Sequence, residues 1–199
     1  MKDRFIQAYT ENIHRKGADK LLEWLKGTDF FEAPASTRFH SSHEGGLVEH
    51  SLNVYERLWQ VVAANASKFQ VTPEQIEESV AICALLHDIC KANFYVVEMR
   101  NRKDDNGQWV QVPYYTVNDQ LPYGHGEKSV YIIEHFMRLT QEEAMAIRWH
   151  MGGFDDAVKG GSYSAGDAFG RYPLAVMLHA ADMLATYLDE AEQNGGNKA

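Results

Sequence analysis

The sequence predicts an all-α helical bundle carrying one small inserted β-hairpin. Three observations predict it. Apolar residues recur at helical spacing along most of the 199 residues. Two capping boxes announce helix starts. One stretch alone, 94–117, exchanges that period for the Val, Tyr and Trp content of paired strands around a turn. A chain of this length fits one domain. We expect that domain to occupy residues 1–193, with a flexible tail over 194–199.

In chain order, a first helical pair is expected over 4–14 and 19–25. A long helix over 46–67 puts Leu47, Val54, Leu58 and Val61 on one stripe. Thr72-Pro73-Glu74-Gln75 supplies an N-cap, a proline at the first helical position and a capping-box Gln, and starts a helix expected to reach 91. Segments 94–102 and 108–117 flank Asp104-Asp105-Asn106-Gly107, a strong hairpin turn signal. Helices follow over 127–139, over 141–150 behind the capping box Thr140-Gln141-Glu142-Glu143, and over 172–193. Between the last two, 152–170 is rich in Gly, Ser and Asp and reads as a long loop, a candidate lid.

Composition excludes several classes. A hydrophobic content of 45% is ample for a core and rules out a mostly disordered chain. There is no apolar run of membrane-spanning length, and Met1-Lys2-Asp3-Arg4 lacks the apolar core of a signal peptide. Cys83 and Cys90 lie in one apolar helical segment at a spacing unsuited to a disulfide or a zinc finger. They read as reduced core residues, so the expected compartment is the cytoplasm. A net charge of −9 opposes sequence-blind binding to long nucleic acid. Nine histidines beside 28 carboxylates direct attention to hard and borderline metals.

Four of the polar residues lie where they should be costly. His87 and Asp88 close the apolar run that begins at Val80. His50 falls three residues after Leu47 and four before Val54, on the inner stripe of the long helix. Asp182 falls four after Leu178 and three before Ala185, inside the apolar face of the last helix. Taken singly, each reads as a hydrogen-bonded core residue. Together, three helices aim metal-ligand side chains inward, and a shared divalent cation offsets all the burial costs at once.

That set resembles the H…HD…D signature of the HD-domain metal-dependent phosphohydrolases: His50, His87-Asp88 and Asp182. His87-Asp88-Ile89-Cys90-Lys91 is similar to the HD-x-x-K form, Gly45-Gly46-Leu47-Val48-Glu49-His50 to the Gly-Gly-Leu-x-x-His segment, and Ala180-Ala181-Asp182 to the last-ligand helix. The resemblance spans about residues 40 to 190. It implies the HD fold and His50, His87, Asp88 and Asp182 as metal ligands. Members with two metals have two further histidines between the HD pair and the final Asp, where His125 and His150 stand in order. Alternatively, His125 is a polar helix cap and His150 a helix-dipole partner, so one metal and two metals both remain open. Among the other histidines, His14 and His135 read as surface residues, His40 and His43 as loop residues near the cleft, and His179 as a partner behind the ligands.

The implied chemistry is hydrolysis of a phosphate ester or anhydride by an activated water. Nitrogen and oxygen ligands suit Mn, Fe, Co, Ni or Zn, with Mg possible. Asp88 and Lys91 are the expected catalytic residues, Asp88 orienting the water and Lys91 stabilising phosphoryl charge. The start of the helix at 126–129 is a second expected anion site. Lys128 and Arg148 are candidate substrate contacts secondary to Lys91, as are Lys159 and Arg171, the alternative for each being a solvated surface charge. Phe94, Tyr95, Tyr114, Tyr115, Tyr123 and Trp149 either stack on a nucleobase or pack the hairpin. The expected partner is a small phosphate compound, a nucleotide by family resemblance. Membrane and long nucleic acid are not expected partners, and a homo-oligomer is compatible with the sequence. No Gly-Tyr-Pro triplet of the cyclic-dinucleotide branch follows the HD pair. The rivals are a di-iron oxygenase on the same fold, a non-catalytic nucleotide- or partner-binding module, and an ordinary polar core.

Overall fold

The run Val80-Ala81-Ile82-Cys83-Ala84-Leu85-Leu86 has no charged or hydrogen-bonding side chain beyond a thiol. A helix apolar on every face must be surrounded. The computed structural model describes residues 1–38, 41–69 and 72–191. Helices α1 (Lys2–Asn12), α2 (Ala18–Lys26), α3 (Gly46–Ala64) and α4 (Pro73–Leu86) precede a hairpin of β1 (Tyr95–Lys103) and β2 (Trp109–Val117). Helices α5 (His125–Phe136), α6 (Gln141–Trp149), the short α7 (Asp156–Lys159), α8 (Ser164–Arg171) and α9 (Pro173–Leu184) follow. The all-α fold with a small hairpin is as the sequence predicts.

The apolar run forms the second half of α4, fully buried, with α1, α3 and α6 packed around it. Helix α9 closes the bundle against α3 and α6, presenting Leu174, Leu178 and Ala181 to the core. At the amino-terminal side, Phe5, Phe30 and Phe31 pack edge to face with centroids 5.2 to 5.6 Å apart, and Tyr9 donates to Ala18 O at 2.8 Å. The hairpin is antiparallel, with Tyr95 opposite Val117 and Lys103 opposite Trp109. Asp104 fixes its turn by accepting from the backbone N–H groups of Asn106 and Gln108.

Beyond shifts of two or three residues at the ends of α1 and α5, four features differ from expectation. Helix α3 ends at Ala64, and Ala66–Lys68 form a separate 3₁₀ turn. Helix α4 stops at Leu86, not at 91: Asp88 leaves helical backbone at φ −104°, ψ 16°, and Ile89–Lys91 form a 3₁₀ turn. Lys91 therefore lies beyond α4, in the 3₁₀ turn, and not at the end of the helix expected to reach it. The stretch 152–170 is no open loop, since it holds a 3₁₀ turn (Gly152–Phe154), α7 and α8. Its Asp155 caps α7 through Ala157 N–H, and Ala165 and Ala168 of α8 pack beside Trp149. The last helix changes to a π-helical turn over Ala185–Asp189. The tail expected to fray, 194–199, lies outside the described residues, as does His40.

Both capping boxes form. In the second, Thr140 Oγ1 accepts from Glu143 N–H, and Glu143 Oε2 accepts from Thr140 N–H at 2.7 Å. Glu143 is also fully buried and receives Arg15 in bidentate fashion at 2.6 and 3.0 Å, together with Ser79 Oγ at 2.6 Å. It therefore ties the α1–α2 connection, α4 and α6 together. Burial alone would raise the Glu143 pKa, but Arg15, Ser79 and the Thr140 amide more than offset this and lower it. The group therefore stabilises the fold above the ordinary carboxylate range, and the contribution is lost as pH falls through the depressed value. Glu143→Ala should cost on the order of 3 kcal/mol in urea unfolding at pH 7, because it strands Arg15. The gap between variant and wild type should narrow as the pH is lowered below the carboxylate range.

Candidate metal centre

The buried helix α4 ends at the middle of the molecule, and its last carbonyls lack helical partners. His87, at the C-cap, uses one of them: its Nδ1 lies 2.8 Å from Ala84 O. His150, at the C-cap of α6, repeats the arrangement with Nδ1 2.7 Å from Ile147 O. A ring nitrogen facing a carbonyl must donate, so each Nε2 keeps its lone pair and turns inward. His50, on the buried face of α3, sets its Nδ1 2.9 Å from Glu190 Oε1. His125, at the first position of α5, has no helical carbonyl three residues back. Its Nδ1 lies 3.3 Å from Cys90 Sγ. Gly126 permits this placement, because a Cβ there would come within 2.2 Å of Arg148 O.

The four Nε2 atoms converge in two pairs. His50 and His87 are 3.3 Å apart, and His125 and His150 are 3.2 Å apart. Asp88 stands between the pairs. Its Oδ2 is 3.8 Å from His50 Nε2 and 3.6 Å from His87 Nε2. Its Oδ1 is 2.8 Å from His125 Nε2 and 3.5 Å from His150 Nε2. Asp182 joins the first pair, with Oδ1 3.3 Å from His50 Nε2. All six residues singled out in the sequence are thus brought together. Lys91 Nζ donates to Asp88 Oδ2 at 2.6 Å.

The donor set fits a divalent cation. Nitrogen and oxygen ligands about 2.1 Å from one ion lie about 3.4 Å from each other in a tetrahedral set, close to the separations within each pair. Lone pairs that face each other across such distances repel unless a cation or protons intervene. Despite the short approach of His125, Asp88 Oδ1 is the single buried side-chain oxygen or nitrogen without a hydrogen-bond partner among the described residues. The groups His50–His87–Asp182, His87–Asp88–His150 and Asp88–Cys90–His125 each gather their donor atoms within 4.8 Å.

Electrostatics carry the same message. Burial opposes charge on His50, yet hydrogen bonds to Asp182 and Glu190 hold its pKa up at about 10. His125 is likewise raised to about 10, against burial, by Cys90 and Asp88. Burial takes His87 down to about 3, with Asp88 opposing. Burial would raise the Asp88 carboxyl, but Lys91, His87 and His125 keep it well below the usual carboxylate range. Asp182 is also lowered, with burial outweighed by His50. The pocket thus favours positive charge at His50 and His125, as a cation site should.

Other expected residues are differently occupied. Lys128 is buried, pairs with Asp119 and lies 4.9 Å over the Phe94 ring. Arg148 pairs with Glu127 and Asp155 and stacks on Trp149 at 3.7 Å. Lys159 pairs with Asp156. At the start of α5, Ser129 Oγ accepts from Cys90 N–H at 3.3 Å. The six aromatic residues form no single platform: Phe94 meets Tyr95, Tyr123 meets Tyr131, and Trp149 meets Arg148. His14, His43 and His135 are exposed. His179 Nδ1 lies 2.6 Å from His150 O, behind the ligand. Cys83 and Cys90 are buried free thiols. Sequence reasoning missed Glu190, Asn53 and Ser41, which gather behind His50, and gave Cys90 only a core role.

The HD domain profile matches residues 47–191, a span that holds all six donor residues. The chain belongs to the HD domain family. Among curated proteins, this HD domain chain is 32% identical to a dihydroneopterin 2',3'-cyclic phosphate phosphodiesterase of Methanocaldococcus jannaschii, over 43% of this chain and 36% of the relative. The chain therefore spans about a third of the length of that protein. No solved structure matches. No described helix of this HD domain is long and apolar enough to cross a membrane.

Removing metal from the purified protein with a chelator should lower its melting temperature. Restoring Mn²⁺ or Zn²⁺ to a hundred times its Kd should recover about 5–10 °C by calorimetry. Asp88→Asn should lose bound metal by elemental analysis. An unchanged melting temperature and stoichiometry would identify the cluster as an ordinary polar core.

Proposed function

We propose that this HD domain is a metal-dependent phosphohydrolase acting on a nucleotide or another small phosphate ester or anhydride. One observation carries the reading: a single buried carboxylate, Asp88, divides its two oxygens between two histidine pairs and meets a lysine at Oδ2, the oxygen that faces His50 and His87. The phosphodiesterase named for the archaeal relative supports the same reaction class. Metal bound by His50, His87, Asp88 and Asp182, and a second ion by His125 and His150 with Asp88 shared, would activate water and draw charge from phosphoryl oxygens.

The chain's own groups indicate how a substrate enters. The His50, His87, His150 and Asp88 side chains are 0 to 3% exposed, whereas His125 is 29%, Asp182 16% and Lys91 12% exposed. The mouth is therefore on the His125–Lys91–Asp182 side. Lys91 stands at it with an ammonium held charged: burial opposes this, and Asp88 overrides it. A phosphoryl oxygen arriving there would meet Lys91, which makes Lys91 the group that stabilises developing charge. Lys128 and Arg148, already neutralised by carboxylates, support the walls.

The hairpin offers a candidate place for the remainder of the substrate. A cavity of about 210 Å³ is lined by Thr37, Arg38, Arg100, Tyr114, Tyr115, Thr116 and Val117. Val117 pairs with Tyr95, whose phenol lies in the field of Lys91 and Asp88 and donates to Ala35 O at 3.2 Å. Among the described residues neither Arg38 nor Arg100 forms an ion pair, although Glu98 is close by, accepting from Tyr114 Oη at 2.8 Å. An anionic or aromatic leaving group suits this lining.

Purified protein with Mn²⁺ should release product from bis(p-nitrophenyl) phosphate or from nucleotides. Asp88→Ala should abolish turnover, and Lys91→Ala should lower kcat by about 100-fold while bound metal is retained. Arg100→Ala should raise KM by about tenfold with little change in kcat. Metal-replete protein inert across a broad phosphate library would refute the assignment, and substrate-dependent oxygen uptake with iron would favour an oxygenase.

A further inference from the structure

We propose that Glu190 is a positioning residue for the metal centre, and that the π-helical turn over Ala185–Asp189 exists to place it. The inference rests on the metal-binding part of the proposed function. Glu190 is fully buried, yet it lies eight residues beyond Asp182. In a continuous α-helix, a separation of seven residues returns to within about 20° of the same face, and eight overshoots by about 80°. A π-turn inserts one residue. With that extra residue Glu190, rather than Asp189, comes back to the face of Asp182.

The contacts follow this register shift. Asp182 Oδ1 approaches His50 at Nε2, and Glu190 Oε1 takes the same ring from behind at Nδ1. Asn53 Nδ2, one turn further along α3, donates to Glu190 Oε1 at 3.1 Å. Ser41 Oγ, itself buried, donates to Oε2 at 2.9 Å. Asp189 is turned outward, where it takes Arg57 Nε at 2.7 Å. His50, Asn53 and Arg57 occupy successive turns of one α3 face, so α3 reads the shifted register at three points.

The consequence for His50 is specific. α3 continues well beyond His50, so no orphan carbonyl of a helix end is available, unlike at His87 and His150. Glu190 fills that place and fixes the Nδ1–H tautomer, leaving Nε2 to face the metal. Asn53 and Ser41 hold the carboxylate in turn.

The test measures metal affinity by chelator competition on the full chain, with Mn²⁺ or Zn²⁺ alone as probe. Glu190→Gln, which keeps the shape, should weaken binding by about tenfold, and Glu190→Ala by about 10–100-fold. Asp189→Asn, one residue away, should leave it unchanged. In the Zn²⁺-loaded protein, ¹⁵N NMR of the imidazoles should show His50 protonated at Nδ1 and deprotonated at Nε2, and Glu190→Ala should shift its Nδ1 signal away from that of a strongly hydrogen-bonded N–H. Should Glu190→Ala fail to fold, the Glu190→Gln and Asp189→Asn pair decides. Variants that bind like wild type, or an Asp189→Asn loss equal to that of Glu190→Gln, would overturn the inference alone. Wild type that binds no divalent ion would overturn it together with the metal reading. Neither readout needs a substrate.

Discussion

One buried carboxylate organises the molecule's interior. Asp88 follows directly on the end of the most apolar helix, with an oxygen that has no hydrogen bond and four imidazole nitrogens around it. A site of that kind is unfavourable unless a cation is shared among the donors. The bundle's geometry is what makes the sharing achievable. Helices α3, α4, α6 and α9 pack closely enough for donors from distant parts of the chain to come within one coordination shell, and α5 starts against α6 only because Gly126 has no side chain.

The ends of helices do much of the positioning. His87 and His150 each sit at a C-cap and satisfy a carbonyl three residues earlier that the helix leaves unpaired. A structural need of the helix terminus thereby fixes the tautomer of the ligand. The two histidines outside that situation have substitutes: Cys90 for His125, and Glu190 for His50. The donor cluster is therefore constrained by backbone on one side and by side chains on the other. The side-chain half is where substitutions can tune the centre without disturbing the fold.

What was legible in the sequence follows the same division. Capping boxes, the apolar run and the hairpin turn are local signals, and they placed the elements. The six donor residues were legible as a set because each breaks an apolar stripe or continues a known motif in order. Helix ends were less so: α4 stops at Leu86 because Asp88 must leave the helix to reach both histidine pairs, a tertiary demand invisible to local periodicity. Glu190 was missed for a related reason. On regular helical geometry it points away from Asp182, and only the π-turn reverses that. Lys128 and Arg148 looked like free cations because their partners, Asp119, Glu127 and Asp155, include residues of the segments between helices, whose geometry no spacing rule predicts.

Charge distribution bears on the proposed kind of substrate. With a net charge of −9, the surface as a whole repels anions, and the repulsion accumulates with the length of a polyanion lying across it. A small phosphate compound has to overcome that field only at one opening. There Lys91 stands beside the donor cluster, and Arg38 and Arg100 line a separate cavity along the hairpin. Focusing by a few cations in a low-dielectric cleft outweighs a diffuse negative surface at short range, because salt screens the latter over about 8–10 Å. On the proposed function, an acidic chain with a lysine at the mouth would discriminate by size: short anions would reach the buried carboxylate and its neighbouring donors, whereas extended nucleic acid would meet repulsion along its whole length.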